Sequence, residues 1–147
     1  MFKGVSLSRF ALLRELFCVP ASKKIIGFDV FGEFPGTEFT AGKTARNNFI
    51  STAGVVGIEK DQLERLLELR GLNKNLELVK GDITETLPKW LEQNPHSRFS
   101  LVNLDTDIYE AAVIILEKIW PRLVNGGVLL VDDYGVFPRE QLLLMKF

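Results

Sequence analysis

Four aspartates follow two strand-like runs, and their placement is typical of a metal site. Asp105 and Asp107 come after the apolar run 101–104, and Asp132 and Asp133 come directly after the run 128–131. A helix-period segment separates the runs, so we expect neighbouring parallel strands whose carboxyl ends open on one edge, where ligands bind. Carboxylates at such an edge repel one another unless a cation joins them, and oxygen-only ligands suit Mg²⁺ better than Zn²⁺.

The same aspartates also have a structural interpretation. Aspartate is common at helix N-caps and in turns, because its carboxylate accepts hydrogen bonds from free backbone N–H groups. For Asp107, just before the helical segment 108–119, the cap is the favoured interpretation. For Asp105, Asp132 and Asp133 both interpretations stay open at this point.

Composition predicts a globular protein without a nucleic-acid or membrane partner. The 147 residues allow at most one domain of ordinary size, 1–147, and the net charge of -1 favours no polyanion. No apolar run approaches the ~20 residues that span a bilayer. The single cysteine, Cys18, excludes an internal disulfide and predicts a cytoplasmic location. Its place on the apolar side of the first helix predicts a core position.

Hydrophobic periodicity predicts helices alternating with strands. The expected helices are 7–17, 58–69, 84–91 and 108–119, and the expected strands are 24–30, 76–79, 99–104 and 127–131. This alternation implies right-handed crossovers and a mostly parallel sheet. The segment 31–48 is predicted to be a long irregular loop of the kind that binds or covers ligands.

Several side chains are predicted to be buried from their spacing alone. Trp90 and Trp120 lie on apolar helix faces, whereas His96 lies in a polar loop and is expected at the surface. The residues expected on the inner sides of the first two helices are Leu7, Phe10, Ala11, Leu13 and Phe17, and Leu63, Leu66, Leu67 and Leu69.

The order of elements begins and ends unusually. Nucleotide-binding α/β folds start with a strand whose turn into the first helix carries the binding glycines. In this sequence a helix follows Met1 almost at once, and no β-hairpin pattern follows Gly135. We therefore expect a sheet that lacks the first strand and the C-terminal hairpin.

Five sequence blocks together resemble one known family. The blocks are FKGVSLSRF, KKIIGFDVFGEFP, LVKGDITETLP, LVNLDTDIYE and PRLVNGGVLLVDDYGVFP. Over nearly the whole chain, up to about Glu140, the sequence is similar to class I S-adenosylmethionine (SAM)-dependent O-methyltransferases. Within that class, the sequence resembles the macrocin and dTDP-6-deoxyhexose 3-O-methyltransferase family.

The resemblance implies a Rossmann-like sheet that binds SAM and uses Mg²⁺ to methylate a hydroxyl of a sugar or glycoside. It implies that Asp105, Asp132 and Asp133 bind the metal and that Asp105 serves catalysis. The implied cofactor-binding residues are Gly4, Ser6, Asp29, Gly81, Asp82 and Ile83.

One departure from the family pattern weakens the expected cofactor site. The family has a strand and a Glu-x-Gly turn before the block that begins at Phe2, and this sequence begins after them. In the family that strand lies centrally, so its loss is expected to weaken SAM binding and to leave open strand edges. Such edges are prone to association, so we expect that the chain rearranges, folds poorly, or pairs with another chain as a homo-oligomer formed through these edges.

Two other functions are weighed against sugar methylation. The first is a non-catalytic fragment of the same family, which the missing strand favours. The second is a nucleotide-sugar glycosyltransferase, in which Asp105-Thr106-Asp107 is a DxD motif that binds a metal diphosphate. This second alternative leaves the block GGVLLVDDYG without a role.

Overall fold

The computed structural model describes residues 4–32, 57–106 and 109–132, with only the backbone at 109–110. Its helices are α1 (Val5–Phe17), α2 (Lys60–Leu69), α3 (Ile83–Gln93) and α4 (Tyr109–Ile119). Its strands are β1 (Ile25–Asp29), β2 (Leu76–Lys80), β3 (Phe99–Leu104) and β4 (Leu123–Val131), and short 3-10 turns lie at Pro20–Ser22 and Trp120–Arg122. Each predicted element is therefore present, and β4 begins four residues earlier than expected.

The strands form two parallel pairs. β1 pairs with β2 and β3 pairs with β4, and no ladder joins the two pairs among the described strands. Within those residues α1 is the first element. The predicted α/β class with a mostly parallel sheet is confirmed.

The chain divides into two compact units. The described parts of the first are residues 4–32 and 57–82, and those of the second are residues 83–106 and 109–132. The expectation of a single domain spanning 1–147 stays a prediction.

The first unit packs α1 and α2 beside the β1–β2 pair. Its core combines apolar residues of both helices with the start and end of the strands: Leu7, Ala11, Phe31, Leu63, Leu67, Leu72 and Leu78. Helix α2 ends where Gly71, at φ 66°, adopts the left-handed conformation that glycine tolerates best. The next amide, from Leu72, donates to the Leu67 carbonyl at 2.8 Å.

A buried arginine joins three segments of this unit. The Arg14 side chain is 4% exposed, and its guanidinium donates to the carbonyls of Lys23, Lys74 and Asn75. Its Nη2 also lies 3.3 Å from the carboxylate of Glu15. These bonds tie the last turn of α1 to the segments that precede β1 and β2.

The second unit packs α3 and α4 together beside the β3–β4 pair. Its buried residues are Leu87, Trp90, Leu91, Leu104, Ala111, Ala112, Ile115, Leu116 and Ile119. Trp90 also meets Phe99 at 6.5 Å between ring centroids. The predicted core position of Trp90 is therefore confirmed.

Several burial predictions are wrong. Cys18 is exposed rather than buried, and Leu13 and Phe17 are exposed because α1 buries the stripe of Leu7, Ala11 and Arg14 instead. The other exposed residues that were expected inside are Leu66, Leu69 and Trp120. Among the described helices, none has the length and apolar character needed to cross a membrane.

Candidate cofactor and metal edges

The carboxyl ends of β1 and β2 meet at an edge that joins two predicted cofactor residues. The amide of Gly81 donates to the backbone carbonyl of Asp29 at 3.0 Å. The Asp29 carboxylate turns back to accept the amide of Phe31 at 2.8 Å. The edge therefore combines a carboxylate with a glycine, the two features that approach a nucleoside in α/β folds.

The turn after β1 holds an unusual backbone. Phe31 is 3% exposed and has φ 51°, a left-handed conformation that is rare for a bulky residue. Such strain persists only where surrounding contacts determine it, and it clusters at binding sites. At Phe31 those contacts are the hydrogen bond to Asp29 and the burial of the ring in the core.

Glu59 lies beside the same turn. An added Cβ at Gly32 would stand 3.0 Å from the Glu59 carboxylate, and the Gly57 amide donates to the Gly32 carbonyl at 2.7 Å. The other carboxylate oxygen of Glu59 lies 3.4 Å from Lys80 Nζ. No motif in the sequence marks Glu59 or Lys80, so neither residue could be predicted at this turn.

Two further predicted cofactor residues, Gly4 and Ser6, lie at the start of α1. Gly4 has φ 72°, and an added Cβ would stand 2.5 Å from Leu63 Cδ1. Packing against α2 therefore explains this glycine without a cofactor. No described contact joins Gly4 or Ser6 to Asp29, so their cofactor role stays a prediction.

The remaining two cofactor residues follow β2. Asp82 is exposed and precedes α3, and Ile83 is the first residue of that helix and is half-buried. Their predicted contact with the adenine side of SAM stays a prediction.

The carboxyl ends of β3 and β4 bring two predicted metal ligands to adjacent positions. Leu104 is paired with Val131, so Asp105 and Asp132 follow at the next position of each strand. The Asp132 amide donates to the Leu104 carbonyl at 3.1 Å, which extends the ladder to this point. Asp105 is half-buried, and Asp132 is exposed.

Other predicted residues of this edge lie outside the described part of the chain. They are Asp107 and Asp133, and most of the loop predicted over 31–48 also lies outside the described residues. Within the described ranges no three metal-binding side chains are gathered. The pair of carboxylates at this edge suits a hard cation that takes oxygen ligands.

Thr106 adds an unsatisfied polar atom to this edge. Its Oγ1 is buried and has no hydrogen-bond partner among the described residues. Buried hydroxyls are normally paired, so this one is consistent with a water or ligand oxygen beside Asp105. No motif in the sequence marked Thr106, which lies just beyond the end of β3.

Comparisons with known proteins identify a family and several relatives of this chain. Residues 14–147 match the model of the family described as macrocin O-methyltransferase (TylF). Over 84 residues the chain is 32% identical to an 8-demethyl-8-(2,3-dimethoxy-alpha-L-rhamnosyl)-tetracenomycin-C 4'-O-methyltransferase from Streptomyces olivaceus. That stretch covers 56% of this chain and 31% of the relative.

Solved structures show the same fold. The TDP-rhamnose 3'-O-methyltransferase CalS11 of calicheamicin biosynthesis superposes with a TM-score of 0.60 at 28% identity, over 95% of this chain and 56% of CalS11. The O-methyltransferase NovP superposes with a TM-score of 0.66 at 21% identity, over 84% of this chain and 50% of NovP. The fold is therefore Rossmann-like, and the chain spans about half the length of these structures and a third of the curated relative.

Proposed function

Because the chain belongs to the macrocin O-methyltransferase family, we propose that it takes part in SAM-dependent methylation of a sugar hydroxyl, with Mg²⁺ at the β3–β4 edge. The observation that carries this proposal is the placement of Asp105 and Asp132 at adjacent positions where β3 and β4 end. An acceptor such as a rhamnose unit is supported by the relatives whose names state a rhamnosyl or TDP-rhamnose substrate.

Each edge is assigned a separate task in this proposal. At the β1–β2 edge, Asp29 accepts the ribose hydroxyls, and the Gly81 backbone leaves room for the nucleoside. At the β3–β4 edge, Asp105, Asp132 and Asp133 hold the metal, and Asp105 orients the acceptor hydroxyl. When bound, SAM supplies an electrophilic methyl group, and Mg²⁺ supplies the charge that lowers the pKa of the hydroxyl.

Positioning is the main contribution that these residues make. Methyl transfer needs the acceptor oxygen in line with the sulfonium methyl, and fixing two reactants in this way lowers the barrier by several kcal/mol. Carboxylates at the ends of two hydrogen-bonded strands are suited to this task, because the ladder holds both backbones in register. We place the reaction in the cytoplasm, where a reducing environment keeps Cys18 a free thiol.

A non-catalytic member of the family is the second candidate. It is favoured by Gly4, because packing on Leu63 accounts for this glycine without a cofactor. The DxD glycosyltransferase is less favoured, because the family match extends through both aspartate motifs.

Calorimetry with SAM, with and without Mg²⁺, separates the two candidates. Micromolar binding of SAM, followed by Mg²⁺-dependent transfer of labelled methyl groups to TDP-rhamnose or a rhamnosyl glycoside, supports the proposed enzyme. A folded chain that binds neither SAM nor Mg²⁺ supports the non-catalytic candidate. Binding of a nucleotide diphosphate with Mn²⁺, without SAM binding, would instead support the glycosyltransferase.

Substitution of the edge carboxylates tests the metal assignment. Asp105→Asn is expected to reduce methyl transfer by at least on the order of 100-fold, since even supporting groups of metal sites account for 10–100-fold effects. Asp132→Asn is expected to weaken Mg²⁺ binding measured by calorimetry. The matched control is Asp61→Asn, an exposed aspartate in the first turn of α2, which should change neither quantity.

A further inference from the structure

Helix α1 has apolar residues on two opposite sides. One side, which includes Leu7 and Ala11 together with Arg14, is buried in the first unit. The opposite side, here named the outer face of α1, consists of Val5, Arg9, Leu12, Leu13, Leu16 and Phe17. Its apolar members are 47–79% exposed.

The outer face is larger than a scatter of surface residues. Five large side chains at this exposure amount to several hundred Å², the size of patch that marks interaction sites on monomeric proteins. Val19, 68% exposed, extends the patch beyond the end of the helix. The patch approaches the ~800 Å² that each partner contributes to a standard protein interface.

Spacing along the outer face suits a helix partner. Val5, Arg9, Leu12 and Leu16 recur at alternating intervals of four, three and four residues. Alternating spacings of four and three are typical of the contact line between two packed helices. Along such a line, the side chains of one helix fit into the spaces between the side chains of the other. The helix has 13 residues, about 20 Å, which is long enough to place the whole contact line against a second helix.

We propose that the outer face of α1 is a homodimer interface, in which α1 packs antiparallel against α1 of a second copy of this chain. A two-fold axis near Leu12 and Leu13 brings the outer face of one copy against the same face of the second copy, as isologous dimers require. Antiparallel packing also brings Arg9 opposite Leu16 of the second copy, beside the C-terminal carbonyls of its α1. A cation near a helix C-terminus is stabilising. Arg9, the one charged residue of the outer face, is therefore complementary to the C-terminal end of α1 in the second copy.

This interface differs from the association through strand edges predicted from the sequence. It uses side chains of α1, whereas edge pairing uses backbone groups of β1 or β3. It is independent of the proposed methylation, because no residue of the outer face is among the predicted cofactor or metal residues.

Sedimentation velocity of the full chain over about 5–200 μM tests the proposal. The chain has a mass of 16.6 kDa, and we expect a species of twice that mass at the higher concentrations. Leu12→Glu places two like charges beside each other near the two-fold axis, and it should convert the dimer to the monomer with unchanged circular dichroism. The control is Leu69→Glu, an exposed leucine of α2 at 76% exposure, which should leave the dimer intact.

Cross-linking provides a second readout that does not depend on introducing a charge. In a Cys18→Ser background, Leu13→Cys lies near the proposed axis and should be joined efficiently by a short bis-maleimide. Val5→Cys lies about 20 Å from its symmetry mate at 1.5 Å per residue and should not be joined. Three results would overturn the proposal: a monomer throughout, a dimer that survives Leu12→Glu, or equal cross-linking at both positions.

Discussion

The two units use similar elements to build chemically different edges. Both place a parallel strand pair beside two helices, and both have aspartate where strands end: Asp29 is the last residue of β1, and Asp105 and Asp132 directly follow β3 and β4. In the first unit the Asp29 carboxylate is turned into its own backbone, and Gly81 closes the edge with a hydrogen bond. In the second unit the strands deliver Asp105 and Asp132 from adjacent positions.

Burial also differs between the strand pairs. On β3 and β4 the paired residues Leu101 and Val128 are 44% and 47% exposed, and Leu130 is 40% exposed. The β1 and β2 strands have no comparably exposed large apolar residue among those described. Since parallel sheets are normally covered on both faces, the second unit has the less complete covering.

One leucine-to-alanine substitution in the core of each unit tests whether the two units unfold locally and independently of each other. Leu63→Ala and Leu87→Ala each remove a leucine that is 1% exposed and should each cost about 3 kcal/mol of unfolding free energy. Hydrogen exchange should show faster exchange in β1–β2 for the first variant and in β3–β4 for the second. Equal acceleration in both strand pairs for either variant would mean that the units open together.

Loss of the Arg14 guanidinium should destabilise the first unit alone. Arg14→Met leaves three backbone carbonyls without their shared donor, and we expect a loss of about 2–3 kcal/mol. Urea unfolding measures this cost. Arg65→Met, at an exposed position of α2, should stay within about 0.5 kcal/mol of the unsubstituted chain and serves as the control.

Two glycines of the first unit separate packing from backbone conformation. Gly4 and Gly71 both have positive φ, but only at Gly4 would an added Cβ meet another atom within 4 Å. We expect Gly4→Ala to lower the free energy of unfolding by about 2 kcal/mol. Gly71→Ala should lower it by about 1 kcal/mol, because only the backbone conformation is strained there. Equal losses in chemical denaturation would show that Leu63 moves aside without cost.

Surface ion pairs should contribute least in either unit. Lys80–Glu59 in the first unit and Lys89–Glu85 in the second are about half to two-thirds exposed. Double-mutant cycles are expected to give a coupling free energy below about 0.5 kcal/mol for each pair. This coupling should decrease further in about 0.5 M NaCl, because salt screens exposed charges. A larger coupling for Lys80–Glu59 would indicate that the β1–β2 edge is more rigid than its exposure suggests.

Secondary structure was predictable because it depends on local signals. Within the described part of the chain, short apolar runs located the four strands, and helical spacing located the four helices. The two aspartate motifs were found in the same way, since residues that follow a strand can be read directly from the chain. The adjacency of Asp105 and Asp132 then needed only the assumption of a parallel pair.

The choice of buried side was decided only in three dimensions. Leucines on both sides of α1 make its sequence ambiguous, and the inner side was set by contacts of Leu7 and Ala11 with α2. Arg14 was buried because three carbonyls from distant segments converge on its donors, an arrangement that no local pattern encodes.

By itself the sequence determined the elements, the family and the residues at the strand ends, since each depends on neighbours along the chain. The tertiary structure alone decided that Gly4 packs on Leu63, that Asp29 bonds to Phe31, and that Cys18 is exposed. The physical reason is that burial and hydrogen-bond pairing depend on which segments meet in space, and side-chain spacing along one helix does not specify that.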